Sequence, residues 1–215
     1  MMVENEAEAR AWVATLPGVS RETFDALDRY VALLTAANAT QNLVAASTLG
    51  EALWARHIVD SAQLVPLAPA PGKGKGGALW VDLGSGPGLP GLIVAILDPR
   101  WSMRLVESRR LRCEFLRHAV QMLGLASRVE VLECKVEALP RQPHRVISAR
   151  AFAPLPKLLR VADHLADKNT HYLLPKGKNA VNELSTLPRA WQTMFHVEPS
   201  LTDPQAGLII GKGLD

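Results

Sequence analysis

Four glycines fall within eight residues of the segment Val81-Asp82-Leu83-Gly84-Ser85-Gly86-Pro87-Gly88-Leu89-Pro90-Gly91. A short apolar run precedes the loop and a helix-forming run follows it, so the loop leaves a strand and enters a helix. Glycine lets the backbone turn tightly and lets a ligand lie against the main chain with no Cβ in the way. Two ligand classes use such a loop. Gly86, Gly88 and Gly91 match the dinucleotide fingerprint G-x-G-x-x-G, with Glu107 at the end of the next strand to hold a ribose. Asp82, Gly84, Gly86 and Gly88 match the alternating D-x-G-x-G-x-G loop that takes a methyl donor. A methyl donor brings an ammonium and a carboxylate in place of a pyrophosphate, and these suit Asp82 and exposed backbone groups. Glu107 then accepts from both ribose hydroxyls. Asp82 and the early Pro87 favour the methyl donor; a dehydrogenase would also need a second substrate domain, for which little chain remains. The dinucleotide reading, an NAD-dependent oxidoreductase, stays open on these residues alone, as does an RNA-binding protein without catalysis.

Other polar residues sit where chemistry is done in open α/β sheets. Arg150 follows the strand Val146 to Ala149, which should lie beside the first strand, and active residues gather at the carboxyl ends of such strands. Arg56, His57 and Asp60 share one helix, with Arg56 and Asp60 spaced for a local i, i+4 ion pair. His57 reads as structural or RNA-facing. Arg109, Arg110, Arg112, Arg117 and His118 crowd a second helix, and Lys157, Arg160, Lys176 and Lys178 follow, a set able to meet phosphates. The cysteines, Cys113 and Cys134, have neither C-x-x-C nor metal-ligand spacing and read as thiols of a reducing compartment.

The elements that must position these residues are legible as alternation. Ser20 caps an amphipathic helix over 20–37, with Phe24, Leu27, Val31 and Leu34 on one face. Thr48 and Glu51 suggest a capping box opening a second helix to about Ser61. Pro69 to Gly77 is rich in Gly, Pro and Lys and reads as a link. Beyond it, strands at 79–83, 103–106, 129–132, 146–149, 172–174, 194–197 and 208–210 alternate with helices at 90–97, 108–123, 154–165 and 180–187. The expected fold is α/β, a mostly parallel twisted sheet with helices on both faces. The expected division is an N-terminal helical extension over 1–70 and a Rossmann-like domain over 78–215, packed together. Of the 215 residues, 48% are hydrophobic, enough for a core, yet no apolar run is long enough to span a membrane. The acidic N-terminus lacks a secretory core, and a cytoplasmic location is expected. The net charge of +3 divides into −4 over residues 1–60 and +7 over the rest. A basic catalytic half suits a phosphate-rich partner.

Asp82 to Gly91 resembles the signature of the bacterial ribosomal RNA small subunit methyltransferase G family, also called the glucose-inhibited division protein B family. The other matches keep that family's order: Asn42-Leu43, Arg56-His57-Ile58-Val59-Asp60-Ser61, Glu107-Ser108 with Arg109-Arg110, Phe115-Leu116, Val136-Glu137, Ser148-Ala149-Arg150-Ala151 and Lys176-Gly177. They run from about Asn38 to Lys178. Val44 departs from the threonine usual after the Asn-Leu pair, which lowers the weight of a polar role there. The resemblance implies a class I Rossmann-like S-adenosyl-L-methionine-dependent methyltransferase acting on N7 of one guanine, position 527, in the 530 loop of 16S rRNA. It implies that Gly84, Leu89, Val136, Glu137 and Arg150 contact the donor, to which the loop and strand-end arguments add Asp82, Gly86, Gly88 and Glu107. Arg56, His57, Arg109, Arg110 and Lys176 are the expected RNA contacts. The expected partner is 16S rRNA, the 30S subunit or its assembly precursor, with no membrane and no obligate protein partner.

The residues agree with N7 chemistry. Methylation of an exocyclic amine calls for an Asp/Asn-Pro-Pro-aromatic segment after the fourth strand, where Arg150-Ala151-Phe152-Ala153-Pro154 stands. Pyrimidine C5 chemistry needs a cysteine nucleophile, and Cys134 has no Pro-Cys context. Guanine N7 is an unprotonated lone pair and needs no general base. Arg150 is then a positioning residue for donor or guanine.

Overall fold

A computed structural model describes residues 2–72 and 78–213. The Lys73 to Gly77 part of the expected link lies outside the described residues. Seven strands form one sheet: β1 (Leu79–Leu83), β2 (Ser102–Glu107), β3 (Val129–Glu133), β4 (Val146–Ser148), β5 (His171–Gly177), β6 (Phe195–Pro199) and β7 (Gly207–Lys212). Their order is β3-β2-β1-β4-β5-β7-β6. The first five pair in parallel, whereas β7 slots antiparallel between β5 and β6. The strand order reverses direction between β1 and β4, so the loops leaving these two strands diverge and open a crevice at their carboxyl ends.

The helices are α1 (Glu6–Val13), α2 (Arg21–Gln41), α3 (Asp60–Ala62), α4 (Gly91–Leu97), α5 (Arg110–Met122), α6 (Leu155–Ala162), α7 (Ala180–Ser185) and α8 (Arg189–Gln192). Every residue of α4 is buried, which is why its sequence Gly-Leu-Ile-Val-Ala-Ile-Leu carries no polar face. It lies between sheet and N-terminal helices: Leu27, Tyr30 and Leu34 of α2, with Trp54 and Ile58, share one core with Leu92, Ile93, Trp101 and Leu105. A second core on the other face joins Val81, Ile147 and Tyr172 to Leu155, Leu158 and Leu159 of α6.

The expected strands and their helices stand in sequence order. Two expectations change. The α2 face turned to the core is centred on Leu27, Tyr30, Leu34 and Asn38, with Phe24 and Val31 packed half-buried against the same core, so the face is wider than expected. No capped α-helix begins at Thr48. Two 3₁₀ turns, Ala46–Thr48 and Gly50–Ala52, lead into a π-helical segment, Trp54–Val59, that runs on into α3. Gly50 at φ +66° breaks the chain where the box would close. The i, i+4 ion pair expected of Arg56 and Asp60 does not form, because each side chain finds a tertiary partner. Arg56 instead lies 3.5 Å from Asp203, and Asp60 lies 3.0 Å from Arg150.

Tyr30 links the extension to the glycine loop. Its buried hydroxyl donates to the Pro87 carbonyl at 3.0 Å. Tyr30→Phe leaves that carbonyl without its donor, and an unsatisfied buried polar group costs about 1–3 kcal/mol. Urea unfolding of the variant should show a loss of that size together with weaker donor affinity by calorimetry; equal stability would detach the extension from the loop's integrity.

Candidate active site

The carboxyl ends of β1, β2 and β4 build the site. Gly84, Gly86 and Gly88 all have positive φ, +67°, +57° and +94°, so the loop is wound in a conformation that side-chain-bearing residues rarely adopt. The loop is pinned to β2 by the Gly84 and Ser85 N–H groups, which donate to the Val106 carbonyl at 2.8 and 3.0 Å. The Gly86 N–H donates to Glu107 Oε2 at 3.1 Å. Glu107 Oε1 accepts from the Ser108 and Arg109 N–H groups at 2.7 and 2.9 Å, so the carboxylate is held at the strand end by three backbone donors. A Cβ added at Gly88 would meet Leu92 at 2.4 Å, and one at Gly91 would meet Leu105 at 2.4 Å. Both glycines therefore serve close helix packing.

Asp82 lies beneath the loop and lines neither of the two cavities described below. Fully buried, it accepts from the Ser148 hydroxyl of β4 at 2.7 Å through Oδ1 and from the Gly91 N–H at 3.2 Å through Oδ2. Ser148 in turn accepts from the Trp80 indole at 2.9 Å. Burial raises the Asp82 pKa to about 6, against the lowering effect of Ser148, Ser85, Gly91 and Arg150. Leu89 is also buried, and its N–H donates to the Ser85 carbonyl.

Two cavities open at this edge. One, of about 440 Å³, is lined by Gly84, Glu107, Arg109, Val136 and Glu137, with Phe152 on its wall. Val136 is buried and begins a 3₁₀ turn after β3. Cys134 also borders this cavity, and burial raises its thiol pKa, as it raises that of Cys113 to about 11, so neither is a ready thiolate. The second cavity, of about 730 Å³, is lined by Arg56, His57, Asp60, Arg150 and Lys176, and again by Phe152. Ala151, Phe152 and Ala153 border both.

Arg150 is the hub of the larger cavity. It donates to Asp60 Oδ2 at 3.0 Å, to the Arg56 carbonyl at 3.2 Å and to His57 Nδ1 at 3.1 Å. An arginine can only donate, so His57 Nδ1 accepts and the ring proton sits on Nε2, facing Thr48 Oγ1 at 2.7 Å. Thr48 Oγ1 donates to the Ala45 carbonyl at 2.7 Å, which completes the chain. Burial, then the Arg150 and Arg56 guanidiniums, lower the His57 pKa to about 3. His57 is therefore neutral near pH 7 with both nitrogens engaged.

Lys176 is nearly buried and serves the loop after β4. Its ammonium donates to the Ala153 carbonyl and pairs with Glu183 at 2.9 Å, and Glu183 also accepts from the Leu155 N–H at 2.6 Å. Arg110 lies outside both cavities, exposed and paired with Glu114 at 2.6 Å. Sequence reasoning passed over Phe152, Ser148, Tyr30, Glu183 and the Thr202-Asp203 turn. Ser148 and Phe152 flank Arg150 in a motif already noted; the others meet the site only through tertiary packing.

The small cavity fits S-adenosyl-L-methionine. It has the Gly84 turn on its lining, a strand-end carboxylate at Glu107, an apolar wall at Val136 and a volume within the range of small-molecule sites. Fold and cradle together define a Rossmann-like methyltransferase that uses S-adenosyl-L-methionine. Solved structures share the fold: a methyltransferase from Geobacter sulfurreducens aligns over 100% of both chains, with a TM-score of 0.58 at 14% identity. An S-adenosyl-L-methionine-dependent methyltransferase from Methanococcus maripaludis aligns over 92% of this chain and 96% of its own, with a TM-score of 0.53 at 11% identity. The sequence pattern of rRNA small subunit methyltransferase G matches residues 23–205. Ribosomal RNA small subunit methyltransferase G of Sphingopyxis alaskensis is 51% identical over 99% of this chain and 88% of its own. The Rhizorhabdus wittichii protein of the same name is 50% identical over 97% and 93%. The chain belongs to the rRNA small subunit methyltransferase G family, which does not favour an NAD-dependent oxidoreductase.

Gly84→Ala tests the cradle. Its Cβ would lie 2.5 Å from Phe152 Cδ2, at a φ of +67°. Calorimetry should show at least about a tenfold loss of donor affinity, because the clash must displace the Phe152 ring or the loop, both of which line the cavity. Unchanged affinity would take Gly84 out of the donor site.

Proposed function

We propose that this chain methylates N7 of a guanine in the 530 loop of 16S rRNA, with the larger cavity receiving the guanine. The observation that carries this reading is His57. It is the imidazole of the larger cavity, and it is neutral, with Nδ1 accepting from Arg150 and Nε2–H directed at Thr48. A base whose lone pair is already occupied does not take up a proton, and N7 is a nucleophile that gives none up.

S-adenosyl-L-methionine supplies an electrophilic methyl group. Held against Gly84, Glu107 and Val136, it would give that methyl to the N7 lone pair and keep the C–S electron pair on sulfur, with no proton to be moved. What the chain contributes is placement. Gly84, Leu89, Val136 and Glu137, with Asp82, Gly86, Gly88 and Glu107, hold or shape the donor cradle. Arg150 fixes the wall between donor and guanine, and walls on both sides exclude water. Arg56, His57, Arg109, Arg110 and Lys176 act in RNA docking, Lys176 and His57 by bracing the walls of the cavity and the arginines by meeting phosphate. The guanine must be unpaired or turned outward to enter. The RNA is taken as 16S rRNA within the 30S subunit or its precursor.

Nucleoside mass spectrometry of 16S rRNA should lose one 7-methylguanosine when the gene is deleted and regain it on complementation. Loss of an N2-methylguanosine or a methylcytidine would overturn the reading. Because His57 stays neutral, single-turnover transfer at saturating donor and RNA should be flat between about pH 7 and pH 9. A steep rise over that interval that disappears in His57→Ala would show a histidine base.

A further inference from the structure

The two cavities meet at one short segment, Ala151-Phe152-Ala153, and its only large side chain is the Phe152 ring. We propose that Phe152 is the platform on which the target guanine stacks as it meets the methyl donor, which makes it a positioning residue for the transfer. This rests on reading the larger cavity as the place of the guanine.

The ring sits against the donor cradle, so that a Cβ at Gly84 would strike it at 2.5 Å. It also lines the larger cavity, where the other flat side chain is His57, already engaged by Arg150 and Thr48. A base entering that cavity therefore meets the half-buried Phe152 ring, at the boundary where donor and acceptor must come together.

The backbone is built to aim the ring. Ala151 holds φ at +53°, a left-handed conformation rare outside glycine and of a kind that gathers at functional sites. On the far side, Ala153 is held by Lys176 and Leu155 by Glu183. On the near side, Arg150 is tied to Asp60 and His57. The strained residue and the ring lie between two clamps. Chemistry gives the ring a second use, because the transfer moves a positive charge from sulfur to the base. An aromatic face attracts a cation without accepting a proton or a methyl group.

The test uses the full chain with 30S subunits whose 16S rRNA carries 2-aminopurine at the target guanine, a fluorophore that keeps N7 and is quenched by stacking. With wild-type protein its emission should stay low. Phe152→Leu should brighten it and, with donor saturating, should lower the single-turnover rate on unmodified subunits at least tenfold. Phe152→Trp and Phe152→Tyr should restore both quenching and rate. Equal emission and rate in Phe152→Leu would overturn the proposal. So would a loss of donor affinity that Trp fails to rescue, because the ring would then belong to the donor cradle. The identity of the methylated nucleoside is read separately, so a wrong product would sink the N7 reading and not the stacking role.

Discussion

The buried carboxylate of Asp82 is the contact on which the site depends. It joins β1 to the first turn of α4 through the Gly91 N–H and to β4 through the Ser148 hydroxyl. The donor loop is thereby tied to the strand that carries Arg150 and Phe152. Its burial has a cost whose sign is clear. Its folded-state pKa is raised, so its contribution to stability is present at low pH and is lost as pH rises through about 6. Above that pH the fold carries an ionised group in its core, offset by the hydrogen bonds that fix the two halves of the site against each other.

From that contact the constraint spreads in two directions. Along β2, three positive-φ glycines let the loop turn its N–H groups toward Glu107 and Val106, so the strand-end carboxylate and the cradle define each other. Across β4, Arg150 reaches back to the π-helical segment, and the turn after β6 joins in, with the Thr202 hydroxyl donating to Asp60 at 3.3 Å. The N-terminal helices are thus part of the site's wall. Tyr30 against Pro87 and Arg150 against His57 bind the same extension to both cavities.

The sheet and the helices between its strands were legible because their apolar periods declare them locally, whereas α1 and the four-residue α8 were not anticipated. The glycine loop was legible because its chemistry is written in four residues. What stayed hidden depends on distance in sequence. The pairing of Asp60 with Arg150 spans 90 residues and that of Arg56 with Asp203 nearly 150, so an i, i+4 reading of the same helix gave the wrong partners. The π-helical winding of Trp54–Val59 has no simple sequence mark. Lys176 looked like a phosphate ligand because lysine usually seeks water, yet it is spent on Ala153 and Glu183. Phe152 was visible within a noted motif, but nothing local says that an aromatic after a strand stands between two cavities.

The electrostatics of the larger cavity follow from the same architecture. On the proposed N7 reading the transfer delivers a cationic base, which any further positive charge set against the ring system opposes. Arg150 is such a charge, and it is matched by Asp60 at 3.0 Å. His57 would add another if protonated, and its burial beside Arg150 and Arg56 keeps it neutral. The same arginine that forbids the imidazolium also occupies the lone pair that a general base would need. One interaction therefore does two things: it keeps the imidazole uncharged and it engages the ring nitrogen that would otherwise accept a proton. For a nucleophile that carries no proton, a rigid wall is the catalytic contribution a protein can make, because alignment is the part of the barrier it controls.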